Sequence, residues 1–311
     1  MSDFRAAAEQ YVTLRRAVGF KLRRAEGLIF SFAAFLEAEG AASLTTELAL
    51  RWATMPANAS PGWWNSRLCL TRGFARYLRA IDPATQVPPT GLLPRIGPGG
   101  GRAEPYLYSP GEVTALMTAT GMIRSRFVAA TCQTLIGLLA ATGLRIGEAL
   151  ALDVTDVDWR DGVLIVRDGK HNRSRQVPLH TGTVDALRGY ARLRDDHFPQ
   201  PRSAAFFVTR SGRRVSYGTI REHFEHLVRA AGLRPRSARC RPRLHDFRHS
   251  FACATVEDWY RSGVDVQAKL PLLSTYLGHV DPISTYWYLS AKPELLALAA
   301  SRLQATLAVL A

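Results

Sequence analysis

Leu244-His245-Asp246-Phe247-Arg248-His249-Ser250 opens the stretch around which the chain is organised; it continues through Leu277-Gly278-His279 and closes on Ser284-Thr285-Tyr286-Trp287-Tyr288. His245 and Arg248 stand three apart in what reads as a helix running on through Phe251 and Ala254, which puts both on one face. Residues 267–276 read as a second helix, with Leu270, Leu272, Leu273 and Leu277 available to a core. Gly278 ends it and His279 follows that end. Pro282 starts a short helix that carries Tyr286 and Tyr288. The three quoted segments therefore hold one Arg, three His and two Tyr against a single acidic residue, Asp246.

Upstream, a long helix over 124–141 is apolar on most sides and reads as central. It runs into Ala141-Thr142-Gly143-Leu144-Arg145-Ile146-Gly147-Glu148-Ala149-Leu150, where Gly143 ends one helix and Arg145 starts the next. A charge between two such apolar helices needs a partner or a ligand. An ion pair with Glu148, three residues on, is the purely structural alternative. Residues 162–167 alternate as a strand, Asp168-Gly169 signals a hairpin turn, and 175–179 form the return strand. Lys170, one of few lysines, sits at the tip in Lys170-His171-Asn172-Arg173-Ser174-Arg175. Helices follow at 181–194 and 217–230, with a short strand at 206–208 between them. Residues 234–243 read as a loop whose Arg239, Arg241 and Arg243, with two further arginines, call for anions close by.

The N-terminal part predicts four helices, at 3–18, 22–39, from Thr45 or Thr46, and from Ser60-Pro61 to about residue 80. On the fourth, Arg72, Arg76 and Arg79 fall four and three apart and so on one face. With only Asp82 nearby, that row reads as a phosphate-facing surface, the alternative being a solvated face. Residues 82–110 then break pattern with Pro83, Pro88, Pro89, Pro94 and Pro98 and four glycines at 97 and 99–101. The expected division is a small N-terminal helical domain at 1–84, a linker at 85–107 and a larger domain ending in a C-terminal helix at 108–311.

At 311 residues, 47% of them hydrophobic, the chain can bury two cores. Forty Lys+Arg against 26 Asp+Glu give a net charge of +14, which favours a polyanion such as nucleic acid. Nearly all the cations are Arg, the better residue for forked phosphate contacts. The four cysteines fit no zinc or disulfide spacing, and no apolar run is long enough to span a bilayer. The expectation is a soluble protein of the bacterial cytoplasm, associated with the nucleoid.

Taken in order, these elements resemble the tyrosine recombinase (phage integrase) family. The family pattern is A-T-G-L-R-x-x-E, a Lys on a β-hairpin, H-x-x-R, L-G-H, and a Tyr nine residues beyond that last His. Arg145 and Glu148, Lys170, His245 and Arg248, His279 and Tyr288 stand at those places here. One H-x-x-R is weak evidence, but the full set at matching spacings is highly specific. The match covers 109 to about 296 and extends more loosely over the N-terminal helices.

The resemblance implies a mainly α fold with a small antiparallel β-sheet, in which an N-terminal core-binding domain and a catalytic domain close on double-stranded DNA. It implies breakage and rejoining of DNA without metal, ATP or other cofactor. Arg145 and Arg248 would clamp the phosphate, His245 would assist as base, His279 would donate a hydrogen bond and Lys170 would protonate the leaving 5′ oxygen. Tyr288 would be the nucleophile, with Tyr286 as the alternative, and Glu148 a supporting residue. The physical chemistry agrees: guanidiniums stabilise charge gathering on non-bridging oxygens, and a phenol of pKa about 10 needs a base and cations to attack. Arg72, Arg76, Arg79, Arg173, Arg175, Arg239, Arg241 and Arg243 are the candidate DNA contacts. The expected assembly is a homotetramer on two duplexes, possibly joined by other recombinases, serving a mobile element. A type IB topoisomerase-like enzyme and a catalytically silent DNA-binding regulator are the alternatives. The Ala- and Leu-rich end after Pro293 is expected to be a helix that buries on its own domain or on a neighbouring protomer.

Overall fold

The computed structural model describes residues 3–20, 22, 25–94, 104–167 and 174–278. The chain forms two compact units that part between Arg102 and Ala103.

Among its described residues the first unit holds four helices: α1 (Phe4–Ala17), α2 (Ala25–Ala38), α3 (Thr46–Thr54) and α4 (Pro61–Arg79). Their starts follow from local chemistry. The side chains of Asp3, Thr45 and Ser60 accept backbone N–H groups at the starts of α1, α3 and α4, and Pro61 occupies the first turn of α4. Tyr11, Phe32, Trp52 and Phe74 interlock at the centre. The chain leaving α4 then folds back over the bundle. Gln86 N–H donates to Leu44 O at 2.8 Å, and Arg72 donates to Pro88 O at 2.7 Å and to Pro89 O at 2.9 Å. Val87 and Leu93 pack on the same core.

The second unit is built on a central helix. Its elements are α5 (Pro110–Ala119), α6 (Arg126–Thr142), α7 (Ile146–Ala151), β1 (Val157–Asp158), β2 (Val163–Val166), β3 (Arg175–Pro178), α8 (Thr181–His197), α9 (Tyr217–Ala230), α10 (Asp246–Arg261) and α11 (Val266–Leu277). Ser109 and Glu112 form the capping box that starts α5. Helix α6 packs against α5, α8 and α10 and buries Leu135, Leu138 and Leu139 completely, as expected of an all-round apolar helix. The strands form one antiparallel sheet in the order β1-β2-β3, with Leu164 opposite both Val157 and Val177.

Three details differ from the sequence reading, the first being Leu272, expected to face the core but exposed on α11. Strand β1, two residues long, carries too little pattern to be anticipated. Residues 206–208 do not join the sheet; only isolated bridges flank them, Asp153 with Ala205 and Val208 with Arg214. Phe206 and Phe207 are both fully buried, whereas a one-faced strand would bury only one of two neighbours.

Candidate active site

Two glycine turns bring distant parts of the second unit together. Gly143 (φ 61°) ends α6 and Gly278 (φ 69°) ends α11, both in the left-handed region that favours glycine. Neither position has room for a side chain: a Cβ on Gly143 would lie 2.6 Å from Phe251 Cδ1, and one on Gly278 would lie 2.8 Å from Arg175 Nη1. The first turn delivers Arg145 as the N-cap of α7. The second leaves the last carbonyls of α11 without partners inside the helix, at its negative pole.

Three guanidiniums take those carbonyls in succession. Arg175 Nε donates to Tyr276 O at 2.8 Å, Arg248 Nη2 to Leu277 O at 2.6 Å, and Arg145 Nη2 to Gly278 O at 3.1 Å. Arg248 also donates to Gly143 O at 3.0 Å, so one side chain ties both turns together. It is only 1% exposed, which is exceptional for an arginine.

Glu148 braces two of the three. Its Oε1 accepts from Arg145 Nη1 at 2.7 Å and from Arg175 Nη1 at 3.1 Å. Its Oε2 accepts from Arg175 Nη2 at 2.8 Å and from the Arg145 backbone N–H at 3.0 Å. Burial pushes the Glu148 carboxyl up, but the hydrogen bonds and charge of Arg175, and then the hydrogen bonds of Arg145, outweigh it and hold the pKa at about 2. Among the described residues, Glu148 is thus the carboxylate shared by Arg145 and Arg175.

His245 borders this cluster as the N-cap of α10, with its surface open to solvent. His245 already has a helical backbone (φ −70°, ψ −22°), and its carbonyl accepts the Arg248 N–H at 3.2 Å; His245 is exposed, whereas Arg248 is buried. Desolvation lowers the His245 pKa, and Arg248, Arg145 and Arg243 lower it further against a smaller opposing effect of Glu148. The imidazole is therefore neutral at pH 7 and able to accept a proton. The start of α10 is fixed from several sides. Arg243 pairs with Asp246 at 2.8 and 2.9 Å, Tyr108 stacks on Phe247, and Ser250 Oγ accepts from Tyr108 N–H at 2.7 Å.

Arg145, Arg248, an imidazole of lowered pKa and an ionised brace thus gather where α6 and α11 end, a set of groups that suits a phosphate diester. The model of the phage integrase family matches residues 109–294.

The chain belongs to the phage integrase family.

A relative of this integrase-family protein in Sinorhizobium fredii, named integrase/recombinase y4rB, is 44% identical over 98% of both chains. Tyrosine recombinase XerC of Azotobacter vinelandii is 32% identical over 71% of this chain and 67% of its own. Among solved structures, the Tn1549 transposon integrase in complex with transposon right end DNA superposes with a TM-score of 0.63 at 16% identity, covering 96% of this chain and 99% of its own. The XerH site-specific recombinase bound to its difH substrate gives a TM-score of 0.62 at 18% identity, covering 94% and 84%. The family places the chain among tyrosine recombinases, enzymes of site-specific DNA recombination.

The remaining site candidates divide three ways. Lys170, Arg173, His279 and Tyr288 lie outside the described residues. Arg76, Arg79 and Arg241 are exposed, and Arg239 and Arg243 are partly committed within the second unit, to Glu104 and Asp246. Arg72 and Arg175 do not lie where the sequence put them. Arg72 is buried because the chain after α4 crosses over it and presents the Pro88 and Pro89 carbonyls, while Arg76 and Arg79 lie beyond that cover. Arg175 turns inward onto Glu148 and α11 rather than outward to a nucleic acid. A signal for this was present: strand alternation puts Arg175 on the face of buried Val177, opposite exposed Gln176.

Proposed function

We propose that this recombinase cuts one DNA strand through Tyr288 and holds it as a covalent 3′-phosphotyrosine. Arg145 and Arg248 bind the two non-bridging oxygens of the scissile phosphate, where negative charge concentrates in the transition state. His245 accepts the phenolic proton of Tyr288 as the Tyr oxygen attacks phosphorus. The bond to the 5′ oxygen breaks, and that oxygen takes a proton from Lys170. His279 donates a hydrogen bond to the phosphate. The ester retains the energy of the original linkage, so a 5′ hydroxyl from a second strand can attack it, release Tyr288 and complete the exchange without ATP. The observation carrying this reading is the trio of guanidiniums gathered at the end of α11 with one carboxylate between them.

The test is a nicked suicide duplex built from the DNA flanking the gene. Wild-type protein is expected to form a covalent adduct, and Tyr288→Phe to form none while binding the duplex normally. An adduct that persists in Tyr288→Phe would refute the assignment and point to Tyr286.

The exposed arginines Arg76, Arg79 and Arg241 supply phosphate contacts that hold double-stranded DNA, with residues 1–84 as the core-binding part. The likeness to a transposon integrase supports a role in moving a genetic element in a bacterial cytoplasm, at the nucleoid. The assembly is a tetramer on two duplexes, supported by the lambda integrase tetramer bound to a Holliday junction among the similar folds. A cavity of about 1060 Å³ between α5, α6, α8 and α10 is lined by small residues such as Ala130, Gly137 and Ala254 together with apolar ones such as Met117, Leu193 and Phe251. The Ala- and Leu-rich composition of residues 293–311 suits such an apolar lining, and those residues of a second copy are the occupant proposed for it. Truncation before residue 293 is expected to leave DNA-bound protein monomeric in light scattering; an intact tetramer would remove the tail from this role.

A further inference from the structure

We propose that Arg175 is a positioning residue of the strand-cleavage reaction, acting through Glu148 and the Tyr276 carbonyl to fix the Arg145 guanidinium against the end of α11. The inference rests on the recombinase reading above and extends it to a side chain that never meets the DNA. Arg175 begins β3, paired with Val166. From there it reaches two other elements at once. Its Nη1 and Nη2 fork the two oxygens of Glu148 on α7, and its Nε holds the Tyr276 carbonyl in the last turn of α11. Glu148 in turn holds Arg145 by both side chain and backbone. The result is a closed mechanical circuit: Arg175 to Glu148, Glu148 to Arg145, Arg145 to Gly278 O, and back along α11 to Tyr276 O and Arg175.

Stability alone does not account for this arrangement. Apolar residues of similar volume often replace buried ion pairs at no loss of stability. A planar fork that engages both oxygens of one carboxylate and a carbonyl sets orientation as well as distance. The Gly278 turn is shaped to it, since its missing Cβ would collide with the Arg175 guanidinium. Without the brace, Glu148 would keep Arg145 as a partner but lose the forked contact that sets its own position.

The experiment compares wild type with Arg175→Ala on the nicked duplex, in three readouts. Single-turnover adduct formation at saturating DNA is expected to fall about 100-fold, the scale set by misplacement of a reacting group by about 1 Å. Affinity and the slope of log binding constant against log salt are expected to stay unchanged, because no phosphate contact is removed. Guanidinium ion at millimolar concentration is expected to restore part of the lost rate, and Arg175→Lys, which lacks the fork, to remain slow. A salt slope reduced by about one, with a normal rate once DNA saturates, overturns the inference and makes Arg175 a DNA contact. So does a wild-type rate in Arg175→Ala, which leaves the recombinase reading standing. A wild type that forms no adduct overturns both. If Arg175→Ala does not fold, Arg175→Gln serves, since its amide reaches a single partner at a time; a wild-type rate there overturns the inference too.

Discussion

Replacing Glu148 by Gln keeps the shape of the brace and removes its charge, and the structure sets the size of the effect. The Glu148 carboxyl lies at about 2 in the folded protein against an ordinary 4.5, and its side chain is 8% exposed. At about 1.4 kcal/mol per pH unit, the fold favours the carboxylate over the acid by about 3 kcal/mol. The sign follows from linkage: a carboxyl depressed by folding adds stability above its unfolded pKa and loses it as pH falls through the folded value. The contribution is therefore complete above about pH 5 and reduced by more than half near pH 3. Urea unfolding followed by tryptophan fluorescence is the assay. Glu148→Gln is expected to be about 3 kcal/mol less stable than wild type at pH 7, with the gap narrowing to about 1 kcal/mol near pH 3. Equal stability at pH 7, or a gap that stays constant with pH, would refute the claim that an ionised carboxylate holds the two arginines.

Other consequences are open to measurement. The neutral state of His245, with its pKa below the ordinary 6.5, predicts a cleavage rate that is flat at neutral pH and declines on its acidic side below that value; His245→Asn should remove the decline along with most of the rate. Arg72→Ala should destabilise the N-terminal unit by about 2 kcal/mol, by stranding the Pro88 and Pro89 carbonyls, and leave the salt dependence of DNA binding unchanged. Arg76→Ala and Arg79→Ala should do the opposite, each lowering the salt slope by about one with little effect on melting temperature.

What could be read from the residues alone was the part that local chemistry decides. Helix starts followed from Thr45, Ser60 and Ser109, each an N-cap with the side chain in place, and helix ends followed from Gly143 and Gly278. Because those glycine turns set where α6 and α11 stop, motif spacing was enough to pick out Arg145 and Arg248, which the fold brings to one helix end. Side-chain direction was less legible, since it depends on chain that arrives from elsewhere. Arg72, Arg76 and Arg79 share a face by spacing, yet a proline-rich return segment covers only the first. Arg175 read as one more cation on a basic hairpin because its carboxylate partner lies 27 positions away in sequence, on another element. His245 and Arg248 keep helical spacing, yet the neighbours that cover Arg248 leave His245 exposed, a difference that spacing alone does not carry.

The anchoring of the chain after α4 also limits how far the two units can part. Leu93 is packed on the N-terminal core and Glu104 N–H donates to Arg239 O in the second unit, so only ten residues, 94–103, run between fixed points. Even fully stretched they span roughly 35 Å. Under the core-binding role proposed for residues 1–84, a connection so short would keep each half at about millimolar effective concentration for a duplex held by the other, so residence on DNA should depend on the pair far more than on either grip alone.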